Sequence, residues 1–163
     1  ASRLRPENPA PYIQLAQLYV QAQRYGDAVQ QYRTLVERTP GNAGAWNNMA
    51  LALLDNGSPV DEAVTAARKA HDLVPDDPRI VDTLAWCLFK AGQTTEAAEL
   101  SARAARELAR AGGIRYHNAL ILAEIGRRDK ALEELEAALG TEDAFPGRDE
   151  AEKLLSKMKS GAN

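Results

Sequence analysis

Four times along this chain the same spacing of large and small residues returns, at intervals of 34, 35 and 34 positions. The lead position holds Tyr12, Trp46, Val81 and Arg115. Three residues on stand Leu15, Met49, Leu84 and Asn118, followed at once by Ala16, Ala50, Ala85 and Ala119. Three beyond those come Tyr19, Leu53, Leu88 and Leu122. The second half of each unit carries Ala28, Ala63, Ala97 and Ala131, then seven residues later Leu35, Ala70, Ala104 and Ala138. A period of this length marks an array, in which no unit buries its apolar face alone and neighbours must stack to make a core.

Each class of position has a physical cause. Steps of three, four and seven place residues on one face of a helix. The alanines let two helices approach closely, and a larger side chain there would overpack the contact at a cost of about 1–3 kcal/mol. Gly57, Gly92 and Gly126 fall mid-unit, where glycine accepts the left-handed backbone that ends a helix. Pro40 and Pro75 close the first two units, since proline cannot continue an interior hydrogen-bond ladder. The unit is therefore helix, short turn, helix, short turn. Such units fall at about 9–42, 43–77, 78–111 and 112–145, in a single domain over 1–163.

The departures from the pattern carry their own expectations. One extra residue in Gly57-Ser58-Pro59-Val60-Asp61 accounts for the interval of 35. The slot that holds Tyr32 and Leu135 holds only Ala67 and Ser101 in the middle units, which predicts tighter packing there. The third unit lacks a closing proline, so its second helix is expected to run long, from Thr95 to about Arg110, and to stop at Gly112-Gly113. The fourth unit is weakest, with Arg115 and Asn118 in apolar slots. Residues 147–160 predict a final amphipathic helix. Its leading acids Asp149 and Glu150 and trailing Lys157 and Lys159 suit the helix dipole, as a cap for the array should. At the other end, Leu4, Pro6, Glu7 and Asn8 match the closing turn seen one period later over 35–42. That match reads as the tail of a preceding unit, and the chain as part of a longer array.

Composition narrows the function classes. The chain is 45% hydrophobic and 26% charged, a profile of folded rather than disordered protein. Its formal net charge of -3 argues against a nucleic-acid partner, which requires a basic surface to release phosphate counterions. No apolar run reaches the length of a membrane-spanning helix, so direct membrane insertion is not expected. The single cysteine, Cys87, sits in an apolar stretch and reads as a buried structural thiol. His71 and His117 have no cysteine or carboxylate at metal-ligand spacing and read as surface or groove-edge residues. Gly112-Gly113-Ile114 lacks the Lys-Ser or Lys-Thr of a phosphate loop. Arg103, Arg106 and Arg110 read as the wet face of a helix. No catalytic constellation, metal site or cofactor is expected, and the chain reads as non-enzymatic.

On these residues the sequence resembles the tetratricopeptide repeat family. The first unit carries the likeness best, in Tyr12-Ile13-Gln14-Leu15-Ala16 through Tyr19, Ala28, Tyr32 and Pro40. The resemblance implies an all-α fold, a right-handed α-solenoid of helix-turn-helix units with a C-terminal capping helix. It also implies a scaffold that binds a protein or peptide along the concave side lined by the first helix of each unit. Carried over by register, the groove positions are Ile13, Gln17, Val20 and Gln21 in the first unit and Asn47, Asn48, Leu51 and Leu54 in the second. The third gives Asp82, Trp86, Phe89 and Lys90, and the fourth Tyr116, Leu120 and Glu124. Trp86 and Phe89 lie off the core slots of their helix (Val81, Leu84, Ala85 and Leu88) and read as partner anchors. Some members of the family clamp a peptide's terminal carboxylate with Lys, Asn and Arg. Asn48 and Arg79 stand at clamp-like places, but Ile13, Gln17 and Thr83 fill the other three, which favours an apolar or amphipathic segment.

A narrower resemblance rests on the run from Val81-Asp82-Thr83-Leu84 to Phe89-Lys90-Ala91-Gly92, on Ile114-Arg115-Tyr116-His117-Asn118-Ala119-Leu120, and on Phe145-Pro146-Gly147-Arg148 with Ala151 and Leu154-Leu155. These are similar to the terminal repeats of bacterial tetratricopeptide lipoproteins linked to exopolysaccharide export and exosortase-type (PEP-CTERM) sorting. That likeness implies a periplasmic or outer-membrane-associated scaffold. The alternative reading is a self-assembling solenoid whose ends stack into a homo-oligomer.

Overall fold

A computed structural model describes residues 9–160 of the chain, so the reading of Leu4, Pro6, Glu7 and Asn8 lies outside the described residues. Among those residues are nine α-helices: α1 (Ala10–Gln21), α2 (Tyr25–Arg38), α3 (Ala43–Asp55), α4 (Val60–Leu73), α5 (Pro78–Lys90), α6 (Thr94–Glu107), α7 (Gly112–Glu124), α8 (Arg128–Leu139) and α9 (Arg148–Lys159). Contacts divide the chain into two compact units, Ala1–Thr83 and Leu84–Asn163, with the boundary inside α5.

In the first unit α1 packs on α2, α2 on α3 and α3 on α4. The repeated small positions are the contact surfaces: Ala16, Ala28, Ala50, Ala63 and Ala70 are wholly buried. Tyr32, Leu35, Met49 and Leu53 fill the space around them. Asn42 caps α3, its side-chain oxygen accepting from the Ala45 amide at 3.0 Å.

All four turns inside the helix pairs close in the same way. The Arg24 amide donates to the Tyr19 carbonyl at 2.8 Å, and Ser58 to Leu53 at 3.0 Å. Gln93 donates to Leu88 at 2.9 Å, and Arg127 to Leu122 at 2.8 Å. The acceptors all belong to one repeat slot, and the geometry is the Schellman closure of a helix C-terminus. It requires a left-handed residue just before the donor. Gly57, Gly92 and Gly126 supply it at φ 67°, 76° and 75°, but in the first unit Gln23 is forced into it at φ 56°. The extra residue of the second unit lies beyond this closure: its turn is 56–59, against 22–24, 91–93 and 125–127 elsewhere.

In the second unit α6 packs on α7, α7 on α8 and α8 on α9. Ala97, Ala104, Ala119, Ala131, Ala138 and Ala151 are wholly buried. The expected long α6 is not found. It ends at Glu107, with the same fourteen residues as α2 and α4, and Gly112-Gly113 opens α7 instead of stopping α6. The reason lies across the chain. A Cβ on Gly112 would stand 2.5 Å from Thr141 Oγ1 and 2.6 Å from Phe145 Cδ1, so glycine is there to admit those side chains. The Gly112 amide then donates to Asp143 Oδ2 at 3.1 Å, which caps α7 from the loop after α8. Hydrogen bonds from Thr141 and from that amide hold the Asp143 carboxyl below its usual range.

The polar residues in the fourth unit's apolar slots are handled differently. Arg115 Nη1 pairs with Glu134 Oε2 at 2.6 Å, and its Nε donates to the Ala109 carbonyl at 2.6 Å. Asn118 is buried with its Oδ1 unpaired. The final helix is held to α8 by Lys159–Glu136 at 2.7 Å and by Arg128 donating to the Met158 carbonyl. Arg148 Nη2 donates to the Leu139 carbonyl at 2.7 Å, closing the C-terminus of α8.

One helix face stands apart. Leu15 and Leu18 of α1 are 39% and 59% exposed. Their register equivalents, Met49 and Ala52, Leu84 and Cys87, and Asn118 and Ile121, are all buried. α3 and α7 each also pack on the preceding helix, α2 or α6, a contact that α1 does not have among the described residues.

The strained Gln23 gives a direct test of the turn argument. Gln23→Gly should raise stability by about 1 kcal/mol, because a non-glycine residue in the left-handed region costs about 1–2 kcal/mol and glycine gives part of that back in chain entropy. The measurement is the urea midpoint at unchanged m-value. An unchanged or lowered midpoint would show that the turn is not strained.

Candidate functional site

Two side-chain groupings stand out, one in each unit. In the first, the outward faces of α1 and α3 converge over α2 to enclose a cleft of about 510 Å³, lined by Gln17, Val20, Gln21, Tyr32, Asn48, Leu51, Ala52 and Asp55. Val20 and Gln21 lie a turn beyond Gln17 on α1, and Leu51 and Asp55 follow Asn48 at three and seven residues on α3. Helical spacing alone therefore aims these side chains at one space. Tyr32 is the buried floor, and its larger side chain occupies the slot that alanine holds in α4. Burial pushes the Tyr32 hydroxyl up, while a hydrogen bond with Asn48 pulls the other way. Asn48 Oδ1 also accepts from Asn47 Nδ2 at 3.4 Å, which fixes the amide at the cleft wall.

Asp55 sits at the exposed mouth. It makes no ion pair or hydrogen bond with any described residue, and the cleft walls desolvate it enough to push its carboxyl above the usual range. No cation lines the cleft. Chemically the space offers an apolar wall, side-chain amides that both donate and accept, and one carboxylate.

The second unit gathers rings instead. Trp86 stacks on His117 at 4.2 Å and 12°, and lies 5.5 Å from Phe89. Lys90 Nζ stands 4.2 Å from the Trp86 centroid, a cation–π distance. Tyr116 lies 6.0 Å from Phe145, whose other neighbour is the Arg148 guanidinium at 5.7 Å. Burial pushes the Tyr116 hydroxyl up, and Glu150 adds to the shift. A Cβ on Gly147 would meet Tyr116 Cε1 at 2.5 Å, so the left-handed Gly147 lets the tail fold over this ring. Trp86 and Phe89 are thus half-buried among their own unit's rings rather than standing free.

Of the groove positions read by register, the cleft gathers Gln17, Val20, Gln21, Asn48 and Leu51. The ring cluster gathers Trp86, Phe89, Lys90 and Tyr116. Ile13, Leu54 and Leu120 are half-buried and line neither grouping, Glu124 is exposed, and Asp82 is buried. Tyr32, Ala52 and Asp55 were missed, as was the central place of His117 under Trp86. Asp55 had a signal: it lies seven residues beyond Asn48, on the same face. No helix among the described residues is long and apolar enough to cross a membrane.

The sequence model described as "Tetratricopeptide repeat" matches residues 13–78. A second, described as "Anaphase-promoting complex, cyclosome, subunit 3", matches 56–138, from the turn before α4 into α8. The TPR repeat-containing protein PA4667 of Pseudomonas aeruginosa is 37% identical over 65 residues, which cover 40% of this chain and only 11% of that relative's length. Among solved structures, TTC0263, a thermophilic TPR protein of Thermus thermophilus, matches with a TM-score of 0.78 at 19% identity, covering 96% of this chain and 84% of its own. MamA from Desulfovibrio magneticus RS-1 matches at 0.74 and 16%, covering 94% and 84%. YrrB, described as a TPR protein with an unusual peptide-binding site, matches at 0.68 and 21%, covering 95% and 78%. At these identities the structural likenesses speak for the fold, an α-solenoid of helix pairs.

The unpaired carboxylate predicts a pH dependence. A carboxyl whose folded pKa is raised favours the folded state below its ordinary value of about 4, and that advantage is lost as pH rises through the raised value. Asp55→Asn should therefore be more stable than the parent near pH 7, with the difference shrinking as pH falls toward about 4. Denaturant melts at both pH values test this, and a variant less stable at pH 7 would contradict it.

Proposed function

We propose that this chain, which belongs to the tetratricopeptide repeat family, is a protein-interaction scaffold that seats a peptide or amphipathic segment in the cleft of its first unit. The observation that carries the reading is the cleft itself. Its volume lies within the range of ligand pockets (about 300–1,000 Å³). It combines the apolar surface of Val20, Leu51 and Ala52 with the amides of Gln17, Gln21 and Asn48. Amides of this kind hydrogen-bond an extended backbone without regard to its side chains, and the apolar wall accepts alternate side chains. Trp86 and Phe89 form a second contact area in the other unit, where the Lys90 ammonium lies against the rings. The chemistry these groups offer is that of binding. The similarity of 81–92 and 114–120 to terminal repeats of exopolysaccharide-associated lipoproteins supports a place for this scaffold in a bacterial polymer-export or protein-sorting assembly.

A displayed library of random nine-residue peptides should yield ligands for this chain. Val20→Arg, which fills the cleft, should weaken them at least about tenfold, the loss of roughly 1.4 kcal/mol of contact. Circular dichroism should remain helical. Ligands that bind the variant unchanged would refute the cleft as their seat.

Self-association is a second reading, and the exposed Leu15 and Leu18 face favours it. A face buried in each later repeat but open on α1 is a contact surface for another helix, and a second copy can supply one. Sedimentation velocity should then show a concentration-dependent mass that Leu18→Glu abolishes. A monomer at all concentrations would end this reading.

A further inference from the structure

The cleft of the first unit is asymmetric in charge. Of the side chains that line it, Asp55 alone is formally charged, and it stands at the mouth without an ion-pair or hydrogen-bond partner among the described residues. Three acids elsewhere in the same unit are engaged. Asp27 pairs with Arg24 at 2.7 Å, Glu62 with Arg33 at 2.8 Å, and Asp77 with Arg79 at 3.3 Å. Gln17 and Gln21 add exposed side-chain amides that likewise make no hydrogen bond with a described residue. By exposure the lining grades from buried Tyr32 and Ala52, through half-buried Val20 and Leu51, to the exposed Asp55. An apolar channel ending in a single anion matches a side chain with an apolar stem and a cationic tip.

We propose that this cleft selects a lysine or arginine side chain of an extended peptide segment, with Asp55 as its counter-ion. The inference rests on the reading of the cleft as a peptide seat and adds what that seat discriminates. The methylene stem lies along Val20, Leu51 and Ala52, and the charged head reaches Asp55 at the solvent edge. There a half-desolvated pair gains more from attraction than an exposed one does. Gln17, Gln21 and Asn48 hold the flanking backbone. An acidic side chain or a free terminal carboxylate would face Asp55 with no cation to balance it, so the cleft rejects both.

The test selects the nine-residue library separately on the parent chain and on Asp55→Asn, with Asp72→Asn on α4 as a control acid outside the cleft. Ligands of the parent and of the control should share a lysine or arginine at one fixed position, and those of Asp55→Asn should not. A selected peptide and its norleucine analogue, compared by fluorescence anisotropy, should differ by about tenfold or more at low salt. That ratio should shrink with added salt and fall to near unity on Asp55→Asn. Ligands without a fixed basic residue, or a basic preference that survives Asp55→Asn, would overturn this inference and leave the peptide seat standing. A library that yields no ligand would overturn both.

Discussion

Paired helices in this protein approach as closely as alanine allows, and the rest of each unit is arranged around that distance. Ala16, Ala28, Ala50 and Ala63 in the first unit, and Ala97, Ala119, Ala131 and Ala138 in the second, have no exposed surface. A methyl group at each crossing leaves no slack, so one added methylene has nowhere to go in a close-packed interior. Because the same contact recurs, stability is distributed over neighbouring pairs rather than vested in one core. It also explains how so few large residues suffice: only 6% of the chain is aromatic. Tyr32 is informative as an exception. Set where α4 has alanine, it lines the cleft between α1 and α3, and its hydroxyl meets Asn48 there.

The helix pairs were legible in the sequence because their causes are local. Apolar steps of three, four and seven, with glycine at the closing turn, place each helix without reference to anything distant. The end of α6 and the start of α7 were not legible, because their cause is long-range. Glycine pairs ordinarily break helices, yet Gly112-Gly113 begins one. Asp143 supplies the missing cap across 31 residues, and Phe145 and Thr141 take up the volume that a side chain would need. Nothing within several residues of Gly112 announces either contact. The polar residues of the fourth unit follow the same logic: Arg115 reads as a defect in an apolar slot until Glu134 is seen beside it.

The site was half legible for a related reason. Register on the first helices gave Gln17, Val20, Gln21, Asn48 and Leu51, which share the cleft, because position on a helix face survives from one repeat to the next. It could not give Tyr32, which occupies a core slot of the second helix and yet lines the cleft. Nor could it give the half-burial of Trp86 and Phe89, which depends on His117 from the following repeat and on the neighbouring Lys90. Periodicity reports which way a residue faces. What stands opposite it is a property of the packed unit.

Charge is treated in two ways across these units, and the contrast bears on function. Where a charged group must sit in a packed place, the fold provides for it. Arg115 has Glu134 and a carbonyl, and Arg148 has the end of α8. Each arrangement offsets the cost of withdrawing charge from water. Asp55 receives no such provision among the described residues, although the cleft withdraws part of its hydration. Perturbed ionisable groups at the edge of a cleft are where ligands are met. The place of Asp55 as the single charged side chain lining the cleft is the physical reason to look for the partner's charge there.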